Sequence, residues 1–122
     1  MTKAATIYQF WSSFGLTAYE ENTVPEDAKF PYITYQLVTD SFGNQIALSA
    51  SIWMRDSSWK LINFITDCIS QEIGRGGKML VYDGGALWLK RGTPFAQNMG
   101  DDTDNLIKRK YLNITAEFIS EN

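Results

Sequence analysis

Asp101, Asp102 and Asp104 put three carboxylates within four residues, and Lys108-Arg109-Lys110 follows as the only basic run. Clustered carboxylate oxygens suit a hard cation such as Ca²⁺. A calcium loop opening at Asp101 would need Gly at its sixth position and Glu at its twelfth, where Leu106 and Leu112 stand. The cluster therefore reads as a solvated acidic loop. The chain has no His, the commonest general base and nitrogen ligand. A Ser-His-Asp or Cys-His arrangement cannot be built within it. Its single Cys68 excludes an internal disulfide and a Cys/His zinc site; among apolar helical neighbours it reads as a buried, inert thiol. Ser58 and Lys60 could form a nucleophile–base pair, but a serine at a helix start usually caps. Gly74-Arg75-Gly76-Gly77-Lys78 lacks phosphate-loop spacing and precedes no helix, so it reads as a helix stop. No catalytic, cofactor or metal residue is assigned, and the chain is expected not to be an enzyme.

The elements carrying these residues belong to one domain, residues 1–122, long enough to bury a core without disulfides or metals. Hydrophobic content of 44% argues for a folded chain. The 17 aromatics (four Trp, six Tyr, seven Phe) exceed what so small a core needs to hide. Either a compact aromatic core or an oligomer interface, where aromatics are enriched, would absorb the surplus. A net charge of −3 argues against a tight grip on nucleic acid, which calls for a basic excess and interleaved aromatics. The start reads as an amphipathic stretch rather than a signal peptide, and no segment reaches the roughly 20 apolar residues of a membrane helix. A soluble cytoplasmic protein is expected.

Residues 2–14 read as a helix capped by Thr2 and ended by Gly15, with Ile7, Phe10, Trp11 and Phe14 on one face. A short strand over 16–19 and an acidic loop over 20–29 follow. Residues 32–39 alternate as a strand, with Pro31 at its entrance. A turn over 40–44 leads to a strand over 45–55, giving antiparallel pairing, with Ile46, Leu48, Ala50, Ile52 and Met54 on the core face. Asp56-Ser57-Ser58 caps a second helix, 58–73, whose stripe of Leu61, Ile62, Ile65, Ile69 and Ile73 lies on the sheet. Strands over 78–82 and 86–90 are joined by Asp83-Gly84-Gly85. A long polar loop over 93–104 follows. The last strand, 106–119, aligns Leu106, Lys108, Lys110, Leu112, Ile114, Ala116 and Phe118 on one face, its charged start projecting beyond the sheet. The fold class is α+β: two layers, a mostly antiparallel, mixed sheet with two helices packed on one face.

In element order, and in the strand motif Phe30-Pro31-Tyr32-Ile33-Thr34-Tyr35, the long strand 45–55, Ser57-Ser58 and the central helix, the chain resembles the tail terminator (tail completion) proteins of long-tailed bacteriophages. The resemblance spans most of the 122 residues. It implies a homo-oligomeric ring, a hexamer in this family, on the head-proximal end of the tail tube. Such a ring stops tube polymerisation and offers a head–tail joining surface. The implied partners are the tail tube protein and a head connector or head-completion protein. DNA would pass through the lumen without specific binding, helped by the acidic balance. The implied location is the virion, after assembly in the host cytoplasm. A head-completion, connector or minor capsid protein, or a tail-assembly adaptor, is the alternative. Opposite charges suggest a contact between adjacent subunits, with Asp101, Asp102 and Asp104 near Lys108, Arg109 or Lys110 of a neighbour.

Overall fold

In the computed structural model, which describes residues 1–37, 45–100 and 103–119, the longest strands lie at the C-terminal end of the chain. Lys3–Ser12 forms α1 and Thr17–Glu20 forms β1; Tyr32–Tyr35 is β2, Gln45–Ala47 β3 and Ala50–Arg55 β4. Lys60–Ile73 forms α2, and Lys78–Tyr82, Gly85–Gly100 and Ile107–Phe118 are β5, β6 and β7. The sheet runs β1-β2-β4-β7-β6-β5, with β3 also on β7. Only β1 and β2 pair in parallel, so the mixed α+β sheet is as expected.

Thr2 caps α1, its Oγ1 accepting from the Ala5 N–H at 3.1 Å. Ile7, Phe10 and Trp11 are buried while Tyr8 faces out. Trp11 stacks on Tyr35 of β2 at 6.4 Å and meets Phe10 edge-on at 4.9 Å. Part of the aromatic surplus is thus core. The strand expected over 45–55 is divided at Leu48 and Ser49, yet β3 and β4 keep one register along β7, Ala47 opposite Thr115 and Ala50 opposite Leu112. Leu48, Ala50, Ile52 and Met54 are buried as expected; Ile46 is only partly so. The expected turn over 40–44, and the end of the strand expected over 32–39, lie outside the described residues, apart from Gln36 and Leu37; Gln36 follows β2 with its N–H donating to the Ser49 carbonyl at 3.1 Å.

Ile62, Ile65, Ile69 and Ile73 anchor α2 on the sheet. Leu61 does not join them: it is 48% exposed beside Phe64, and the inward position of the next turn goes to Thr66, whose hydroxyl donates to the Ile62 carbonyl at 2.7 Å. The helix starts two residues later than expected, with Trp59 at its N-cap and no side-chain cap; Asp56 Oδ1 accepting from the Ser58 N–H and Ser58 Oγ accepting from the Lys60 N–H at 3.0 Å shape the turn just before it. Gly74, with φ of 77°, closes the helix.

Two expectations fail at the C-terminal end. The segment 93–104 is not a long loop, because its residues up to Gly100 belong to β6. Proline and polar residues hide a strand that bulges: Gly92 to Phe95 all lie opposite Asn113, and pairing resumes at Ala96 opposite Leu112. Asn113 Nδ2 donates to the Pro94 carbonyl at 2.9 Å, and a Cβ on Gly92 would sit 2.8 Å from the Asn113 oxygen. Nor does β7 project beyond the sheet. It is central, with β4 along Ile107 to Leu112 and β6 along Lys108 to Phe118. Its even-numbered residues from Lys108 to Phe118 are buried and meet both helices, Lys108 and Lys110 under Trp59 and Phe118 under Lys3. Both helices therefore cover one face, and no described helix covers the other.

Candidate functional site

The uncovered face carries a continuous row of side chains. Strand alternation places Tyr19, Tyr32, Trp53, Arg109 and Tyr111 there, one each from β1, β2 and β4 and two from β7. Register brings Tyr32 opposite Trp53 and Trp53 opposite Arg109. Tyr19 meets Tyr32 edge-on at 5.8 Å, and Phe30 stacks on Tyr32 at 5.4 Å. Tyr32 stacks on Trp53 at 6.2 Å. The Arg109 guanidinium carbon lies 4.7 Å from the Trp53 ring centre and 5.5 Å from that of Tyr111. Such contacts contribute about 0.5–1 kcal/mol each at exposed sites.

Hydrogen bonds fix the row from beneath. Trp53 Nε1 donates to Thr34 Oγ1 at 2.9 Å, and Arg109 Nε donates to Ser51 Oγ at 2.9 Å. Burial, and then the neighbouring Tyr19, hold the Tyr32 hydroxyl above the usual phenolic pKa. A shallow hollow of about 270 Å³ lined by Trp53, Met99, Gly100, Ile107 and Arg109 ends the row. A planar, pre-positioned cation between flat rings suits docking against an aromatic or carboxylate-bearing surface.

The charged residues singled out in the sequence are dispersed. Asp101 and Asp102 lie outside the described residues. Asp104 pairs with Arg55 of its own chain at 3.1 Å, and its Oδ1 accepts from the Leu106 N–H at 2.9 Å. Lys108 and Lys110 turn to the helix side, each only 8% exposed. Lys108 Nζ donates to the Asn105 carbonyl at 2.6 Å, and Lys110 Nζ donates to Asn98 Oδ1. Burial pulls the Lys110 pKa below its usual value, against the opposing attraction of Asp67. The two lysine ammonium groups are thus engaged inside the chain, and of the basic run only Arg109 reaches the uncovered face. Alternation on β7 made that separation readable; that Tyr19, Tyr32 and Trp53 would join Arg109 required the strand order.

Cys68 is half-buried on α2. Among the described residues no group of three metal-ligating side chains converges, and no helix is long and apolar enough to cross a membrane. No protein-family model matches the chain, and no curated protein matches it.

Proposed function

We propose that this chain is a non-enzymatic structural subunit that closes into a ring, and that the ring is a phage tail terminator. On this reading it caps the head-proximal end of the tail tube, stops tube growth and presents a joining surface to the head connector. The observation carrying the proposal is the uncovered sheet face with its Tyr19–Tyr32–Trp53–Arg109–Tyr111 row. Stacked aromatics and an oriented arginine are the side chains enriched at protein interfaces, where they contribute most per residue. The two-layer α+β order, with its Phe30-Pro31-Tyr32 entrance to β2, agrees with the resemblance to tail terminators. The sheet also ends in two unlike strands, β1 and β5. Unlike surfaces allow the head-to-tail contacts from which rings close.

The test is incubation of the purified chain with tail tubes of the matching phage, followed by electron microscopy. Rings at one tube end, and tubes that no longer elongate, are expected. Tubes that bind nothing and continue to grow would overturn the proposal.

A further inference from the structure

A second site lies where the bulge of β6 approaches the loop after α2. Arg75, Gly76, Trp88, Lys90, Arg91, Gly92, Thr93 and Phe95 line a groove of about 570 Å³. Arg75 from the loop after α2 and the adjacent Lys90 and Arg91 of β6 line it, and none of the lining residues is acidic. Arg55 pairs with Asp104 and Lys78 with Glu72, and Lys108 and Lys110 donate to internal acceptors. Among the described residues no carboxylate pairs with Arg75, Lys90 or Arg91. Like charges gathered without a counter-ion oppose folding.

The groove is also held in shape. Trp88 Nε1 donates to the Gly76 carbonyl at 2.9 Å, tying β6 to the loop. Gly77 has φ of 89°, and a Cβ there would lie 2.4 Å from Trp88 Nε1, so only glycine lets the indole close down. Lys90 Nζ sits 3.8 Å over the Trp88 ring, and Arg91 donates one N–H to Ser70 Oγ at 2.8 Å. Arg91 keeps further donors for a ligand. Gly76 leaves the mouth open, with nothing within 4 Å of where a Cβ would be.

We infer that this groove holds a single nucleic-acid strand, its phosphates on Arg75, Lys90 and Arg91 and a base against Phe95. Guanidinium groups match phosphate oxygens bidentately. The aromatic lining favours a strand over an acidic peptide, because exposed base faces stack on aromatic side chains and carboxylates do not use them. A duplex hides those faces. The inference goes beyond the assembly role and stands without it, and it qualifies the expectation from net charge: an overall −3 conceals a local basic groove.

The experiment is fluorescence anisotropy of a labelled short oligothymidylate with the full chain across a salt series. Three phosphate contacts on a single strand give a slope of log affinity against log salt near −2, so affinity should fall about 20-fold between 50 and 200 mM. Arg75→Gln and Lys90→Gln should each make the slope shallower by about 0.7. Phe95→Leu should weaken binding and leave the slope unchanged. Lys90→Arg should restore what Lys90→Gln loses, separating charge from folding. Absence of binding at 50 mM, or slopes untouched by both charge variants, would overturn the inference. So would polyglutamate competing as well as the strand, which would mark the groove as a docking site for an acidic protein segment.

Discussion

Trp53 and Arg109 are register partners on β4 and β7, and the Arg109 guanidinium carbon lies 4.7 Å from the Trp53 ring centre. This pairing turns one residue of a basic run into part of an aromatic surface. Replacing Arg109 with Glu puts a carboxylate among the rings and opposes any acidic partner. The monomer should remain folded, losing about 0.5–1 kcal/mol per ring contact removed. Assembly should be abolished. Chemical denaturation and particle mass, measured on the same sample, separate the two effects.

The core gives a sharper contrast. Ile52 and Ile62 are fully buried and Ile65 nearly so, whereas Leu61 is half-exposed. Ile52→Ala or Ile65→Ala should cost roughly 2–5 kcal/mol. Leu61→Ala should change stability by no more than about 0.5 kcal/mol. Urea midpoints of the three variants decide it, and equal losses would mean that α2 is rotated from the orientation described.

Much of this was legible in residue types alone. The period of two placed Leu48, Ile52, Leu112 and Ile114 on the buried face, and the helical stripe chose Ile62, Ile65, Ile69 and Ile73. It erred at Leu61, because a spacing of three or four leaves the margins of a stripe undecided and Thr66 satisfied its own hydroxyl on the helix backbone. The segment after Thr93 was misread because Pro94, Gly100 and a run of polar residues carry loop chemistry, while its pairing depends on β7 far along the chain. For the same reason the aromatic row escaped notice: Tyr19, Tyr32, Trp53 and Arg109 meet only through strand order. Alternation put Lys108 and Lys110 on the face of Leu112 and Ile114, but their charge suggested a projecting strand end, solvated or in salt bridges to an acidic neighbour. Trp59 and Asn98 shelter them instead.

Tyr82 is buried, and its hydroxyl has no hydrogen-bond partner among the described residues. An unsatisfied buried polar group costs about 1–3 kcal/mol. Tyr82→Phe should therefore leave stability unchanged or raise it by up to about that amount. A rise in the thermal midpoint checks this; a clear fall would show that the hydroxyl has a partner.

Stability at alkaline pH should follow two opposed groups. Lys110 is held below its usual 10.5 by burial, with Asp67 pulling the other way. Between that lowered value and 10.5 the unfolded chain binds more protons, so stability rises with pH. Burial raises Tyr32, Tyr35 and Tyr82 above 10.0, so their contribution is present below 10.0 and is lost as pH climbs through the raised values. Lys110→Met should remove the rise, keep the later fall and stabilise the protein at neutral pH. Urea denaturation across an alkaline pH series reads both limbs.

The central claim is that this chain closes into a ring through its uncovered face. Its most direct test is particle mass by light scattering after size exclusion, at rising protein concentration and again with purified tail tubes, with electron microscopy of the same fractions. The account predicts a closed ring, of six subunits if the tail-terminator resemblance holds, and its loss in Arg109→Glu. A chain that stays monomeric at every concentration, and forms no ring on tubes, would contradict it.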